Sequence, residues 1–506
     1  MSNLVKQRWP AVISGLMYGA AWEPLGLWPL AIAGWAWWMS GLRVRDTTAV
    51  FLHAFLFVLT AWMVAFHWVL AHPMPLAAMT SGIALLSYAS IFAALTAWLI
   101  GLVDSFTSSS HPLYFRAIIL TAILSTVVFE TILFKGPFAM PWLSLGWSTA
   151  PSSWSLLASS LLGVQGLALL ILVMAGLISL VPGFRMQGRA GIGLCVLGML
   201  LFMPRLISVS PAYPESRYDT ITVRLLEPDL PPQRWSDVHD LGRIDGFMDA
   251  LRAAAESDRP TDITVLPETA LPLGPIDSLR TWVSALAQAA GSPVLSGAIE
   301  RDLDSLSAPA YNVIVSSEEP QQRYAKRRLV PFAERVPFSD WMPAFRRLAV
   351  PAGGIASYAR GKSLGPMRVA GLDVVPLICF ESLFAQDARA AVLAGGSLLV
   401  ITTQDGWWNS DHPRRQHLAF SQLLAASVGA PVIHATVDGE SAVIDAAGRR
   451  IPMTAESAIV HAADLPLLQR ETLYMRLGNG PFLVILGIIL VLLLVCLHCA
   501  HKPFQS

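Results

Sequence analysis

Charge is nearly absent from the first 210 residues of this 506-residue chain. Nine Lys or Arg and four Asp or Glu occur there. Residues 481–506 hold one charged side chain, Lys502, and the other 56 lie between 211 and 480. Such a chain cannot form a single water-facing globule. It must place its front and its tail in an apolar solvent and its middle in water. A hydrocarbon core about 30 Å thick takes about 20 apolar residues per helix. That length fits 9–22, 25–41, 50–71, 77–103, 116–134, 157–181, 190–208 and 481–500, about eight spans. The first two are short and separated by Glu23-Pro24, where proline should break a helix, so one re-entrant pair is an alternative. No small-x-small cleavage site follows the first span, so it is expected to remain on the chain.

Loop charges set the expected orientation. With eight spans, Lys6, Arg8, Arg43, Arg45, Arg116, Arg185, Arg189 and Lys502 fall on one side, and the opposite loops near 72–76 and 135–156 hold only Lys135. The positive side is cytoplasmic, which sends 211–480 outside, into the periplasm of a bacterium. The expected division is 1–210 (spans one to seven), 211–480 (a polar exported domain) and 481–506 (a last span and short tail). The 35 basic and 35 acidic residues cancel, which argues against nucleic acid as a partner. Four cysteines are too few for a disulfide-held scaffold.

The middle region alternates strand and helix patterns. Short apolar runs at 221–223, 263–266, 374–378 and 398–401 are separated by Ala- and Leu-rich stretches at 279–290, 384–394 and 414–428. Runs at 431–436 and 441–444 flank Asp438-Gly439, a hairpin signal. The pattern predicts an α/β or α+β sandwich of about 260 residues.

Reactive groups stand at three strand ends: Glu268 after Val265-Leu266-Pro267, Cys379 after Leu377-Ile378, and Lys326 after Tyr324-Ala325. Loops leaving an open α/β sheet are where chemistry collects. A Cys, a Glu and a Lys suit acyl transfer. The carboxylate takes the thiol proton, the thiolate attacks a carbonyl, and the ammonium stabilises the oxyanion. A lone Cys is more often a small buried hydrophobe, and a lone Glu or Lys more often a solvated or ion-paired side chain. Cys379 stands out because Cys195, Cys496 and Cys499 all fall in expected spans. An unpaired thiol in an oxidising compartment is a liability unless it is used.

These residues resemble the nitrilase, or carbon–nitrogen hydrolase, superfamily. The resemblance rests on Pro267-Glu268, Lys326 followed by Leu329-Val330-Pro331-Phe332-Ala333-Glu334, and Cys379-Phe380-Glu381. Three apolar segments are similar to the membrane half of bacterial apolipoprotein N-acyltransferases: Glu23-Pro24-Leu25-Gly26-Leu27-Trp28-Pro29-Leu30, Pro141-Trp142-Leu143-Ser144-Leu145-Gly146 and Leu162-Gly163-Val164-Gln165-Gly166. The resemblance covers nearly the whole chain. It implies a polytopic α-helical membrane domain joined to an exported, nitrilase-like αββα sandwich in the bacterial inner membrane. Glu268 would be general base, Cys379 nucleophile and Lys326 oxyanion stabiliser. Glu334, Glu381 and Trp235 would support them.

The implied reaction has two steps. A membrane phospholipid, phosphatidylethanolamine by family preference, gives an acyl chain to Cys379 as a thioester. The N-terminal amine of a lipoprotein's diacylglyceryl-cysteine then takes it. No cofactor and no metal are implied, and a monomer is expected. The family pattern is altered at several positions. Phe380 replaces Tyr, Gln404-Asp405 replaces Asn-Asp, Glu227-Pro228-Asp229 replaces Gln-x-Asn, and His434 replaces Arg. The triad is intact, so these changes bear on the acceptor. The alternative reading is a divergent nitrilase-fold membrane paralogue with another acceptor, amidase-like or associated with conjugal transfer. Glu130, inside the fifth expected span, either lines a lipid path or pairs with Lys135. His412 and His417 lack ligand spacing for a metal.

Overall fold

The computed structural model describes residues 2–42, 46–73, 75–149, 151–181, 219–228, 240–256, 259–304, 308–318, 322–339, 341–342, 344, 357–363, 365–408 and 410–501. The expected span at 190–208 and Trp235 lie outside them. The chain divides into two compact units, 1–211 with 477–506, and 212–476.

The first unit is helical: α1 (Ser2–Gly19), α2 (Pro29–Ser40), α3 (Thr47–Ala65), α4 (Pro75–Phe106), α5 (Tyr114–Leu133), α6 (Ser153–Ser179) and, from the far end of the chain, a helix over Gly480–Cys499. Local chemistry sets several boundaries. The Asp46 carboxylate caps α3 by accepting from Thr48 N. Ser152 and Ser155 form a reciprocal cap on α6. Proline stands in the first turn of α2, where its missing N–H costs nothing. The expected helix to residue 71 stops at Ala65, because the chain tightens into a 3-10 turn over His67–Ala71.

Among the described residues, five helices are long and apolar enough to cross a bilayer: α3, α4, α5, α6 and Gly480–Cys499. At 12 residues α2 rises about 18 Å, well short of a hydrocarbon core. The expected count of eight is therefore not reached by the described helices. In the last helix Leu483, Val484, Val491 and Leu494 are each at least 60% exposed. That apolar surface belongs in lipid rather than water. Where helices touch, small residues let them close. A side chain on Gly15 of α1 would strike the Phe57 carbonyl of α3.

The second unit is a four-layer sandwich. Its elements in chain order are β1 (Thr220–Leu226), α7 (Gly242–Ala255), β2 (Ile263–Val265), β3 (Leu271–Gly274), α8 (Ile276–Ala290), β4 (Val294–Glu300), β5 (Tyr311–Ser316), β6 (Arg323–Ala325), β7 (Met367–Val369), β8 (Leu372–Ile378), α9 (Ala385–Leu393), β9 (Leu398–Gln404), α10 (Asp411–Val428), β10 (Val432–Val437), β11 (Ala442–Ile444), β12 (Arg450–Ile451), β13 (Thr454–Ala455) and β14 (Val460–Pro466). One sheet runs β13-β14-β1-β2-β4-β5-β6 with β3 beside β4, and the other runs β12-β11-β10-β9-β8-β7. Each has a parallel centre, β1-β2-β4 and β8-β9-β10, with antiparallel strands outside it.

Strand alternation builds the layers. Ile221, Val223 and Leu225 of β1 face the second sheet and pack with Val374, Ile378, Val400 and Ile433. Arg224 points the other way, towards the Ala254 and Ala290 carbonyls at the ends of α7 and α8, and pairs with Glu456. Phe247, Leu251, Leu279, Val283 and Leu286 of α7 and α8 cover that outer face. Helices α9 and α10 pack on the second sheet. The strands, helices and hairpin expected between 221 and 444 all occur within a few residues of their predicted limits.

Candidate active site

Three loops leaving strand ends build the site. Glu268 lies three residues past β2, Lys326 directly follows β6, and Cys379 directly follows β8. The structure brings these side chains together. Lys326 Nζ lies 3.4 Å from Glu268 Oε1 and 2.7 Å from Glu334 Oε1. The Cys379 thiol feels the charges of both Glu268 and Lys326. Glu268, Lys326 and Glu334 are buried, while Cys379 keeps part of its surface open.

The backbone around each residue is fixed. Asn312 on β5 donates from its amide to Glu268 Oε1 at 2.7 Å, and its carbonyl accepts from Lys326 N at 2.8 Å. One strand residue thus positions both the base and the cation. Gly297 on β4 permits the Glu268 loop to lie against the sheet. A Cβ there would come within 2.6 Å of Glu268 Cα and 2.5 Å of the Pro267 carbonyl. Glu334 is held by Val330 N at 2.8 Å, so its pairing with Lys326 closes the 326–334 loop on itself. Three arginines lie near it in sequence, Arg327, Arg328 and Arg335, but its salt-bridge partner is Lys326.

Glu381 does not face Lys326 with a salt bridge. It ties loops together instead. Its Oε1 accepts from Tyr324 OH at 2.7 Å, Arg327 N at 2.8 Å and Arg328 N at 3.1 Å, and its Oε2 accepts from Ile378 N at 2.9 Å. The residue two past the thiol therefore holds the segment carrying the ammonium.

Electrostatics follow from burial and neighbours. Burial pushes the Glu268 carboxyl above its ordinary value, with Lys326 opposing and Glu334 reinforcing. Burial acts to lower Lys326, but Glu334 and Glu268 outweigh it and hold the ammonium well above the usual lysine range. Burial and then the Glu268 charge raise the Cys379 thiol, while Lys326 and a hydrogen bond with Thr403 act the other way. At rest this is a neutral thiol beside a proton acceptor and a fixed cation. Moving the thiol proton to Glu268 yields a thiolate whose negative charge sits beside Lys326, a set suited to attack on an acyl carbonyl.

A second buried group lies behind Cys379. Ser382, Thr403, Asp405, His417 and His434 all have exposures of 4% or less. The Asp405, His417 and His434 ligand atoms lie within 4.8 Å of one another. Spacing along the sequence gave no sign of this cluster, because its members come from the turn after β8, β9 and the residue after it, α10 and β10. The contacts are those of a hydrogen-bonded chain. His417 Nδ1 sits 2.8 Å from Asp405 Oδ1, which also accepts from Thr403 Oγ1 at 2.8 Å. Ligands sharing one cation with bonds of about 2.0–2.2 Å in tetrahedral geometry stand farther apart than that.

Sequence reasoning passed over Asn312, Tyr324, Ser382 and Thr403. Asn312 did leave a signal, as the amide in an otherwise apolar strand, Tyr311–Ser316. The other three are ordinary hydroxyls whose importance comes only from what they touch. Glu130 does not pair with Lys135. It accepts from Ser144 Oγ at 2.5 Å and Leu145 N at 2.8 Å, clamping the turn after α5.

The chain was compared with known proteins. The family profile for the carbon-nitrogen hydrolases matches residues 232–471, and that for the apolipoprotein N-acyltransferase N-terminal domain matches residues 14–177. An apolipoprotein N-acyltransferase of Nitrosomonas europaea is 28% identical over 432 residues, covering 83% of this chain and 82% of that protein. One from Shewanella oneidensis is 25% identical over 515 residues, covering 95% and 94%. Among solved structures, a carbon-nitrogen hydrolase from Helicobacter pylori aligns with 49% of this chain and 90% of its own at 15% identity, TM-score 0.38.

Proposed function

The chain belongs to the apolipoprotein N-acyltransferase family, and on that premise we propose that it is an enzyme moving a fatty acyl chain from a membrane phospholipid to a lipoprotein through a thioester on Cys379. Glu268 accepts the thiol proton. The thiolate attacks the ester carbonyl of the phospholipid, and Lys326 stabilises the tetrahedral oxyanion. The intermediate collapses with the carbon–oxygen ester bond breaking. The leaving alkoxide takes the proton back from Glu268 and departs as a lysophospholipid. In the second half the α-amine of a diacylglyceryl-cysteine attacks the thioester, losing a proton to Glu268, and the thiolate leaves as the amide forms. A thioester suits this relay because a thiolate is a good leaving group towards an amine.

Glu334 holds Lys326 in place and Glu381 holds the loop that carries it; Trp235 is assigned a supporting role by family position. The loop charges favour an exported α/β unit, in the periplasm of a bacterium, and the family resemblance implies the inner membrane; a monomer is the expected working form. The single observation that carries the reading is the buried Lys326 ammonium between Glu268 and Glu334, beside a partly open thiol. An ammonium held charged by two carboxylates in a dry site has little purpose in a binding module and a clear one beside a developing oxyanion.

The test uses the full-length protein in mixed micelles with phosphatidylethanolamine labelled in its acyl chain. Wild type should form a hydroxylamine-sensitive adduct at Cys379 and Cys379→Ser should not. Adding a diacylglyceryl peptide should discharge the label onto the peptide's amine, read by mass spectrometry. No adduct on wild type overturns the acyl-enzyme. An adduct discharged only to water replaces the lipoprotein acceptor with hydrolysis.

A further inference from the structure

Cys379 has a backbone φ of +48°, a left-handed conformation that a residue with a side chain avoids unless its surroundings hold it there. We propose that Ser382, His417 and Asp405 form a positioning chain that locks this conformation. The inference rests on the acyl-enzyme reading only for its consequence; the chain itself is a matter of geometry.

Three contacts define it. Ser382 Oγ donates to the Cys379 carbonyl at 2.8 Å. The same oxygen lies 2.8 Å from His417 Nε2. On the other side of the ring, His417 Nδ1 lies 2.8 Å from Asp405 Oδ1. The hydrogens then follow. The Cys379 carbonyl can only accept, so the Ser382 hydroxyl is the donor there. An ionised carboxylate only accepts, so Nδ1 donates as well. Burial acts to raise Asp405, but the two imidazoles beside it outweigh this and hold its carboxyl below the usual range. The carboxylate is thus anionic and accepts at Oδ1.

The chain is anchored from several elements. Asp405 follows β9 and His417 lies on α10, so the Cys379 carbonyl is tied across the second sheet to a helix packed on it. Among the described residues, the groups facing the ring include Ser382, Thr403 at 3.4 Å, Asp405, and His434 edge-on with ring centres 5.1 Å apart. His434 is kept low by burial, and its Nδ1 engages Ser421 Oγ at 2.9 Å. Ser382, His417 and Asp405 act on the thiol through its backbone, which makes them positioning residues.

A nucleophile displaced by about 1 Å can lose on the order of 100-fold in rate. Removing one strut from a strained residue should cost part of that. With the full-length protein in detergent, two rates are measured at Cys379 by peptide mass spectrometry: alkylation by iodoacetamide, and single-turnover acylation from labelled phosphatidylethanolamine across a concentration series. Ser382→Ala should slow both by about ten-fold, with the half-saturating lipid concentration unchanged. Ser382→Thr, which keeps the hydroxyl, should recover most of the rate. The double variant Ser382→Ala/His417→Gln should be no slower than the slower single variant, since the two act in series. Ser382→Ala at wild-type rates overturns the proposal, and so does a loss confined to the half-saturating concentration. If wild type is alkylated but never acylated, the proposed function fails and the alkylation series alone decides the positioning chain.

Discussion

Each unit of this protein buries a carboxylate after apolar sequence, yet the two have different work. Glu130 of the helical unit meets only neutral donors, the Ser144 hydroxyl and the Leu145 amide, both in the turn it clamps. Glu268 of the α/β unit meets an ammonium and the amide of Asn312, with a thiol in its field. Burial marks both as costly, since an unpaired buried charge is not tolerated. The partners separate them. Neutral donors from one turn make a carboxylate a staple. A cation shared with Glu334, and a nucleophile whose proton needs an acceptor, make it a base.

That contrast can be broken, first of all, at the two carboxylates themselves. Glu268→Gln keeps the shape and the Asn312 contact but cannot take a proton. Acylation of Cys379 should fall by about 10²–10⁴-fold while the protein still folds. Glu268→Gln with acylation intact would end the assignment of a base. Next comes the support of the base. Gly297→Ala places a methyl against the Glu268 backbone, and acylation should drop by roughly 10–100-fold with the thiol still present and titratable. A Gly297→Ala enzyme at full rate would show that the loop has room to move.

The pH profile sharpens the same point. A protonated Glu268 cannot act as base, so acylation should fall as pH is lowered through its pKa. Because burial raises that pKa, the acid limb should have its midpoint above the 4.5 of an unperturbed glutamate, and it should disappear in Glu268→Gln. A limb at or below 4.5 would contradict the buried setting. The smallest catalytic effect is expected at Glu130. Glu130→Ala orphans a buried hydroxyl and a buried amide, each costing about 1–3 kcal/mol, so the thermal midpoint should drop. Acylation per folded molecule should stay within about two-fold of wild type. A large rate loss with unchanged thermal stability would give Glu130 a part in the reaction.

Much of this was legible from residue order. The helical unit follows from the missing charges, and the sandwich from apolar runs spaced by helical stretches. Each candidate triad residue stood at the end of such a run, which is why Glu268, Lys326 and Cys379 could be named together. The limits of α3 and α2 were less legible, because the turn at His67–Ala71 and the short rise of α2 depend on packing in the bundle. The partner of Glu334 was not legible either. Three arginines lie near it in sequence, and the lysine eight residues before it is the one the loop folds back to meet.

The chain's order of residues settled the division into apolar and polar parts, the strand periods and the placing of reactive groups at strand ends, because these depend on solvent preference and on repeats of two or three to four residues. The fold alone settled which hydroxyl backs the thiol, which carboxylate is a staple, and that Asp405, His417 and Ser382 line up behind Cys379. Those contacts join positions 12 to 35 residues apart at hydrogen-bonding distance. No local rule reaches that far: a hydrogen bond is decided within about 3 Å, and only the packed sheets and α10 bring the atoms there.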